Sequence, residues 1–235
     1  MFNLDKKIKT KKKKSWTFKA SNVSKFFDEH VKKSVPFYGF SHEIALGLSD
    51  FFIKNNSFCN DLGCSTGSLL RKIKDRHSDK KINLIGYDDS KHMINFAKKK
   101  NKNIKFINKD ISKINIRKSD FILSLYTIQF IQPKKRQEIF DKIYRSLNWG
   151  GGFFLCEKIR GKDARFQDIL NFLYFDFKKK QDLTYEEILN KEQSLRGVVE
   201  PFTIDANIEF LKRAGFKDIM PVYQYLCFVG ILAIK

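Results

Sequence analysis

The sequence has no apolar run of the length a membrane-spanning helix needs, about 20 residues; its longest, 150–156 and 226–234, stop well short. Its Lys-rich start has no apolar region behind it, so a secretory signal is not expected. Cysteine is scarce: Cys59, Cys64, Cys156 and Cys227 form no Cys-x-x-Cys pair, which argues against a disulfide framework or a structural zinc site. The four histidines show no ligand-like spacing either, so no metal is expected. The cysteines read as buried free thiols of a cytoplasmic protein. Neither Gly-x-Gly-x-x-Gly nor the Gly-Lys-Ser/Thr of a phosphate-binding loop is present. Arginine is also sparse. Nine of the 46 basic residues are Arg, the side chain that grips bases and phosphates bidentately. The net charge of +20 invites a nucleic-acid reading. An excess of Lys beside abundant Asn, Ile and Phe reads first as compositional bias on a solvated surface, and direct nucleic-acid binding stays as the unfavoured alternative.

What is present suits one domain: 235 residues, 42% of them hydrophobic. Residues 1–15 read as a disordered Lys-rich tail and 16–235 as the folded unit. Helical periodicity over 16–52 is interrupted at Ser34-Val35-Pro36-Phe37-Tyr38, where Pro36 breaks the helix. Strands at 58–62, 82–87, 104–107, 120–126 and 153–157 then alternate with helices at 66–76, 91–100 and 133–147, and 148–152 reads as a turn. That alternation predicts an α/β fold with a mostly parallel sheet. Residues 163–202 read as a helical lid. A helix at 204–214 ending on Gly215 and two closing strands at 219–223 and 227–234 complete the chain.

The most informative segment is Asp61-Leu62-Gly63-Cys64-Ser65-Thr66-Gly67, between a strand and a helix. Small residues there let backbone approach a ligand, and the helix N-terminus offers free N–H groups. Asp88, at the next strand end, is placed to accept from ribose hydroxyls. Asp110-Ile111, at the third, offers a carboxylate to an adenine amino group and an apolar side chain to the ring. Three matching elements at three successive strand ends make loop or cap roles alone a poor account.

These residues resemble the class I S-adenosylmethionine-dependent methyltransferases and, within them, the carboxy-S-adenosylmethionine synthase family. The resemblance runs from about residue 34 to 235 and includes Ser34-Val35-Pro36-Phe37-Tyr38, Asp61-Leu62-Gly63-Cys64-Ser65, Asp110-Ile111, Thr127-Ile128-Gln129-Phe130, Arg136-Gln137, Asp141-Lys142-Ile143-Tyr144, Glu157-Lys158 and Asp176-Phe177-Lys178. It implies a Rossmann-like class I methyltransferase fold: a mostly parallel seven-stranded sheet with a C-terminal antiparallel strand and a helical lid insertion. It also implies S-adenosylmethionine, or its carboxylated form, as cofactor. By position, Tyr38, Gly63, Cys64, Ser65, Asp88, Asp89, Asp110 and Ile111 would contact it. The family makes the carboxymethyl donor of tRNA wobble-uridine modification, taking the carboxylate from prephenate. Its members associate as dimers, which implies a homodimer here.

Two departures bear on the reaction. The family's Asn before the Thr-x-Gln-Phe segment is Leu125 here. Its lid Arg, which pairs with the extra carboxylate of the product, is replaced by Glu192, with Arg196 four residues on. A carboxylate facing a carboxylate is repelled, so methyl transfer to an unidentified small-molecule acceptor is the first expectation. Carboxy-S-adenosylmethionine synthesis, anchored on Arg196, is the alternative, and a tRNA-binding protein on the same scaffold is the second alternative. Tyr38, Tyr126 and Phe130 are candidates to face the sulfonium. Tyr38, Tyr126 and Arg196 are the candidate catalytic residues. Glu157 and Glu200 are considered as bases and not favoured.

Overall fold

The computed structural model describes residues 23–235; the Lys-rich tail and the start of the first helical stretch lie outside the described residues. Helix α1 (Val23–Ser34) and helix α2 (Tyr38–Phe52) are separated at Pro36, and Phe37 turns the chain through a left-handed conformation, φ 56°. There follow β1 (Phe58–Leu62), α3 (Ser68–Arg76), β2 (Asn83–Asp88), α4 (Lys91–Lys100), β3 (Lys105–Asn108), β4 (Ser119–Leu125), α5 (Pro133–Ser146) and β5 (Leu147–Lys158). Helices α6 (Ala164–Lys180), α7 (Tyr185–Leu195) and α8 (Ile204–Ala214) precede β6 (Asp218–Tyr225) and β7 (Phe228–Ile234).

The seven strands form one sheet in the order β3-β2-β1-β4-β5-β7-β6. The first five are parallel; β7 runs antiparallel to β5 and to β6. Strand order reverses between β1 and β4, so helices leave to opposite faces there and a crevice opens at the carboxyl ends of the strands. Two apolar clusters fill the faces. One packs Phe140, Phe153, Leu211 and Phe216 under α5 and α8; the other packs Leu70, Ile73, Phe121 and Phe154 under α2 and α3. All four cysteines are buried and free. Among the described residues no helix is long and apolar enough to cross a membrane.

Local chemistry sets the helix ends. Ser90 caps α4 by accepting from Met93 N, Asp163 caps α6, and Thr184 with Glu187 closes a capping box on α7. Gly215, φ 117°, stops α8. Pro221 sits on β6, the edge strand, where a missing N–H is tolerated. One expectation needs correction: residues 148–152 are not a free turn but the start of β5. Gly150 N donates to Lys235 O and Lys235 N to Gly151 O, so the chain end draws the glycines into the sheet. Gly152 must stay bare because a Cβ there would meet the Phe52 ring at 2.6 Å.

Candidate functional site

The crevice is a cavity of 1710 Å³ roofed by α1, α6 and α7. All eight residues expected around a cofactor line it: Tyr38, Gly63, Cys64, Ser65, Asp88, Asp89, Asp110 and Ile111. Tyr126, Phe130, Arg196 and Glu200 line it as well, whereas Glu157 does not.

The floor is the β1–α3 turn. Gly63 N and Cys64 N both donate to Tyr87 O, pulling the turn onto β2. Ser65, φ 48°, then aims its N–H at Asp88 Oδ2, 3.0 Å away. Gly63 has φ 89°, and a Cβ there would collide with the Thr127 side chain from the β4 end. Gly63→Ala therefore combines left-handed strain of about 1–2 kcal/mol with a backbone shift at the site. The expected result is a lower melting temperature together with loss of cofactor binding in titration. Asp88 also accepts from Ser90 N at 2.8 Å. Asp110 accepts from Ser112 N at 2.8 Å. Burial raises its carboxyl, but Ser112, Lys135 and Lys113 outweigh that and hold it below the usual range.

Asp61, at the end of β1, was part of the quoted motif yet was not assigned to the site. It is 3% exposed, lines the cavity, and its carboxylate has no hydrogen-bond partner among the described residues. Burial, then the nearby Asp88, pushes it up to about 7. A buried carboxylate without a partner is costly to the fold. The signal is in the sequence: an acidic residue one position before the end of a buried strand.

Aromatic rings form the wall. Tyr38 lies 6.0 Å from Tyr126, Tyr126 lies 5.9 Å from Phe228, and Phe228 lies 5.4 Å from Tyr174 on α6, centroid to centroid. Burial raises the phenols of Tyr38 and Tyr126 well above their usual value. Tyr126 OH is also hydrogen-bonded to Tyr223 OH at 3.1 Å. Both phenols therefore stay neutral.

Glu157 belongs to the scaffold. It is 2% exposed, and its Oε1 accepts from Ile128 N at 3.0 Å. The side chain of Gln129 returns to Lys158 N at 2.7 Å, and buried Arg136 donates to Ile131 O and Gln129 O. Together they clamp the 127–131 loop against β5.

The roof corrects the expectation drawn from Glu192. Its carboxylate is not free to repel a ligand, because Lys178 Nζ holds it at 2.9 Å. Lys158 Nζ sits over the same Tyr174 ring as Lys178. Arg196 ends α7 with an exposed side chain and makes no ion pair among the described residues. The roof is tied to α1 by Tyr174 OH, which donates to Ser34 O at 2.6 Å, and by Lys191 Nζ, 2.8 Å from His30 Nε2. Burial, then Lys191 and Lys33, lowers His30 to about 3, so it is neutral and accepts from Lys191. Among the described residues no group of His, Cys, Asp and Glu is placed to hold a metal.

A family model described as a methyltransferase domain matches residues 60–151. The carboxy-S-adenosyl-L-methionine synthase of Staphylococcus epidermidis is 40% identical over 222 residues, 94% of this chain and 97% of that one. That of Campylobacter lari is 35% identical over 235 residues, 98% and 99% of the two chains. The structure of human N-acetylserotonin methyltransferase in complex with its cofactor superposes with a TM-score of 0.64 at 18% identity. It covers 93% of this chain and 57% of that one, a likeness of fold. A class I methyltransferase fold with near full-length identity to these synthases gives one assignment: the chain belongs to the carboxy-S-adenosyl-L-methionine synthase family of S-adenosylmethionine-dependent transferases.

Proposed function

We propose that this protein makes carboxy-S-adenosylmethionine from S-adenosylmethionine and prephenate, its product serving tRNA wobble-uridine modification. The observation that carries the reading is the charge layout of one cavity. Asp61, Asp88, Asp89 and Asp110 lie along the strand ends, with Lys135 near Asp110, and Lys158, Arg160, Lys178, Lys191 and Arg196 lie toward the roof among Asp168, Asp176, Glu187, Glu192 and Glu200. The first end suits a cationic nucleoside and the second a carboxylate. At 1710 Å³ the cavity exceeds the roughly 300–1,000 Å³ of a pocket for one drug-sized ligand, which leaves room for two reactants. Methyl transfer, favoured from the sequence, loses its main support once Glu192 is paired with Lys178.

The residues present fit the cofactor. Asp61 supplies a buried carboxylate for its ammonium, and the Gly63–Ser65 backbone takes its amino-acid part. Asp88, at the end of β2, is placed for the ribose hydroxyls, with Asp89 beside it. Asp110 and Ile111 take the adenine edge and face. Tyr38 and Tyr126 offer rings to the sulfonium.

The bound cofactor supplies an activated methyl carbon. In the balanced reaction a methyl C–H bond and the ring-to-carboxylate bond of prephenate break, and a C–C bond to the methyl carbon forms. The ring hydroxyl leaves with the methyl proton as water while the ring becomes aromatic. The protein's part is alignment and exclusion of water beneath the 163–202 roof, which we read as a lid. Mass spectrometry of the cofactor retained on gentle purification tests this. Carboxy-S-adenosylmethionine is the expected species; a methyl-transfer by-product alone, unchanged after incubation with prephenate, contradicts it.

A further inference from the structure

Lys158 leaves β5 at the mouth of the cavity, and Lys178 reaches the same place from α6. Their ammonium groups lie 4.7 Å and 4.1 Å from the centroid of the Tyr174 ring. Lys178 is buried, with 7% of its side chain exposed, and it pairs with Glu192. Lys158 has a ring beneath it but no ion pair among the described residues, and Arg160 stands nearby as a further positive charge. Lys158, Arg160 and Lys178 thus stand together on the cavity wall, and Glu192 is the carboxylate paired with Lys178 there. Asp168, Asp176, Glu187 and Glu200 also line the cavity, and no ion pair joins any of them to Lys158 among the described residues. Burial, with Lys178 and Arg160 adding to it, lowers the Lys158 ammonium against the pull of Cys227 and Glu192. An ammonium held half-buried over a ring with no ion pair gains a partner when an anion enters.

We infer that Lys158 and Lys178, seated on Tyr174, form a carboxylate-binding subsite at the lid end of the cavity, with Lys158 as the group that meets the ligand. The inference rests on the functional reading above and deepens it. The subsite takes either the carboxylate of the incoming acid or the carboxymethyl group of the product. It replaces the expectation that Arg196 alone anchors that charge. The ring path from Tyr38 through Tyr126 and Phe228 to Tyr174 joins it to the cofactor end without a break.

The test is calorimetric titration of the full chain with S-adenosylmethionine, carboxy-S-adenosylmethionine and prephenate. Lys158→Gln is expected to bind S-adenosylmethionine within about twofold of wild type. It should bind a carboxylated ligand at least tenfold more weakly, roughly the loss of one charge-assisted hydrogen bond. Lys158→Arg, which keeps the charge, should retain most of the affinity. Loss confined to prephenate assigns the subsite to the incoming acid, and loss confined to carboxy-S-adenosylmethionine assigns it to the transferred group. If Lys158→Gln fails to fold, Lys158→Met keeps the stem over Tyr174 and serves in its place. Wild-type binding of both carboxylated ligands with no loss in the variant overturns the subsite alone. Wild-type protein that binds neither overturns the functional reading and the subsite with it.

Discussion

Asp61→Asn will bind S-adenosylmethionine about a hundredfold more weakly than wild type, while the protein without cofactor melts no earlier. Loss of one partner of a buried charge pair typically costs about 2–5 kcal/mol, and a hundredfold lies within that range. The stability half of the prediction follows from burial. Asp61 is 3% exposed, with no protein hydrogen bond among the described residues and Asp88 nearby. An amide removes that cost and fits the same volume. The pH dependence has a definite sign. Asp61 titrates at about 7 in the fold against 3.8 when free. The folded protein therefore holds a proton the unfolded chain releases, and stability without cofactor falls as pH rises from about 4 to 7. A cationic ligand favours the ionised form. Its affinity should rise with pH by up to about tenfold per unit below 7 and level off above. Titration at pH 6 and pH 8, on wild type and Asp61→Asn, reads both effects; an equal pH slope in the two proteins contradicts the assignment.

Glu157→Ala is the second large effect, expected to destabilise the fold by about 3 kcal/mol. It strips the acceptor from Ile128 N and leaves Glu200 as the carboxylate remaining near buried Arg136. Glu157→Gln keeps an acceptor oxygen of the same shape. It should lose less than about 1 kcal/mol and retain turnover, because Glu157 does not line the cavity. Burial pushes this carboxyl up to about 8, against backbone amides and Arg136. Its stabilising contribution accordingly declines as pH rises from about 4.5 through 8, the same sign as Asp61. Denaturant melts of the two variants, with turnover measured beside them, distinguish a clamp from a base. Inactivity of a well-folded Glu157→Gln would contradict the clamp.

Much of this architecture was legible in the residues. The breaks at Pro36 and Gly215, the strand Phe58–Leu62 and the helices Lys91–Lys100 and Ile204–Ala214 follow from periodicity and punctuation alone. The eight positions expected to face the cofactor share one cavity because parallel strands deliver their carboxyl ends to one edge. What stayed hidden depends on partners distant in the chain. Glu192 looked repulsive until α6 brought Lys178, 14 positions earlier, within 2.9 Å. Residues 148–152 looked like a turn until Lys235 supplied backbone partners. Lys158 stands in the sequence as part of the Glu157-Lys158 motif with no role attached, and only the packing of Tyr174 on Phe228 gives it one neighbour to be read from.

The most direct measurement uses prephenate carrying a heavy-carbon label in its ring carboxylate, incubated with S-adenosylmethionine and the purified protein. Mass spectrometry of the nucleoside product should find the label in a carboxymethyl group on sulfur, formed only when protein and both substrates are present. Unlabelled S-adenosylmethionine, with the label recovered solely in prephenate or in carbon dioxide, would contradict the account.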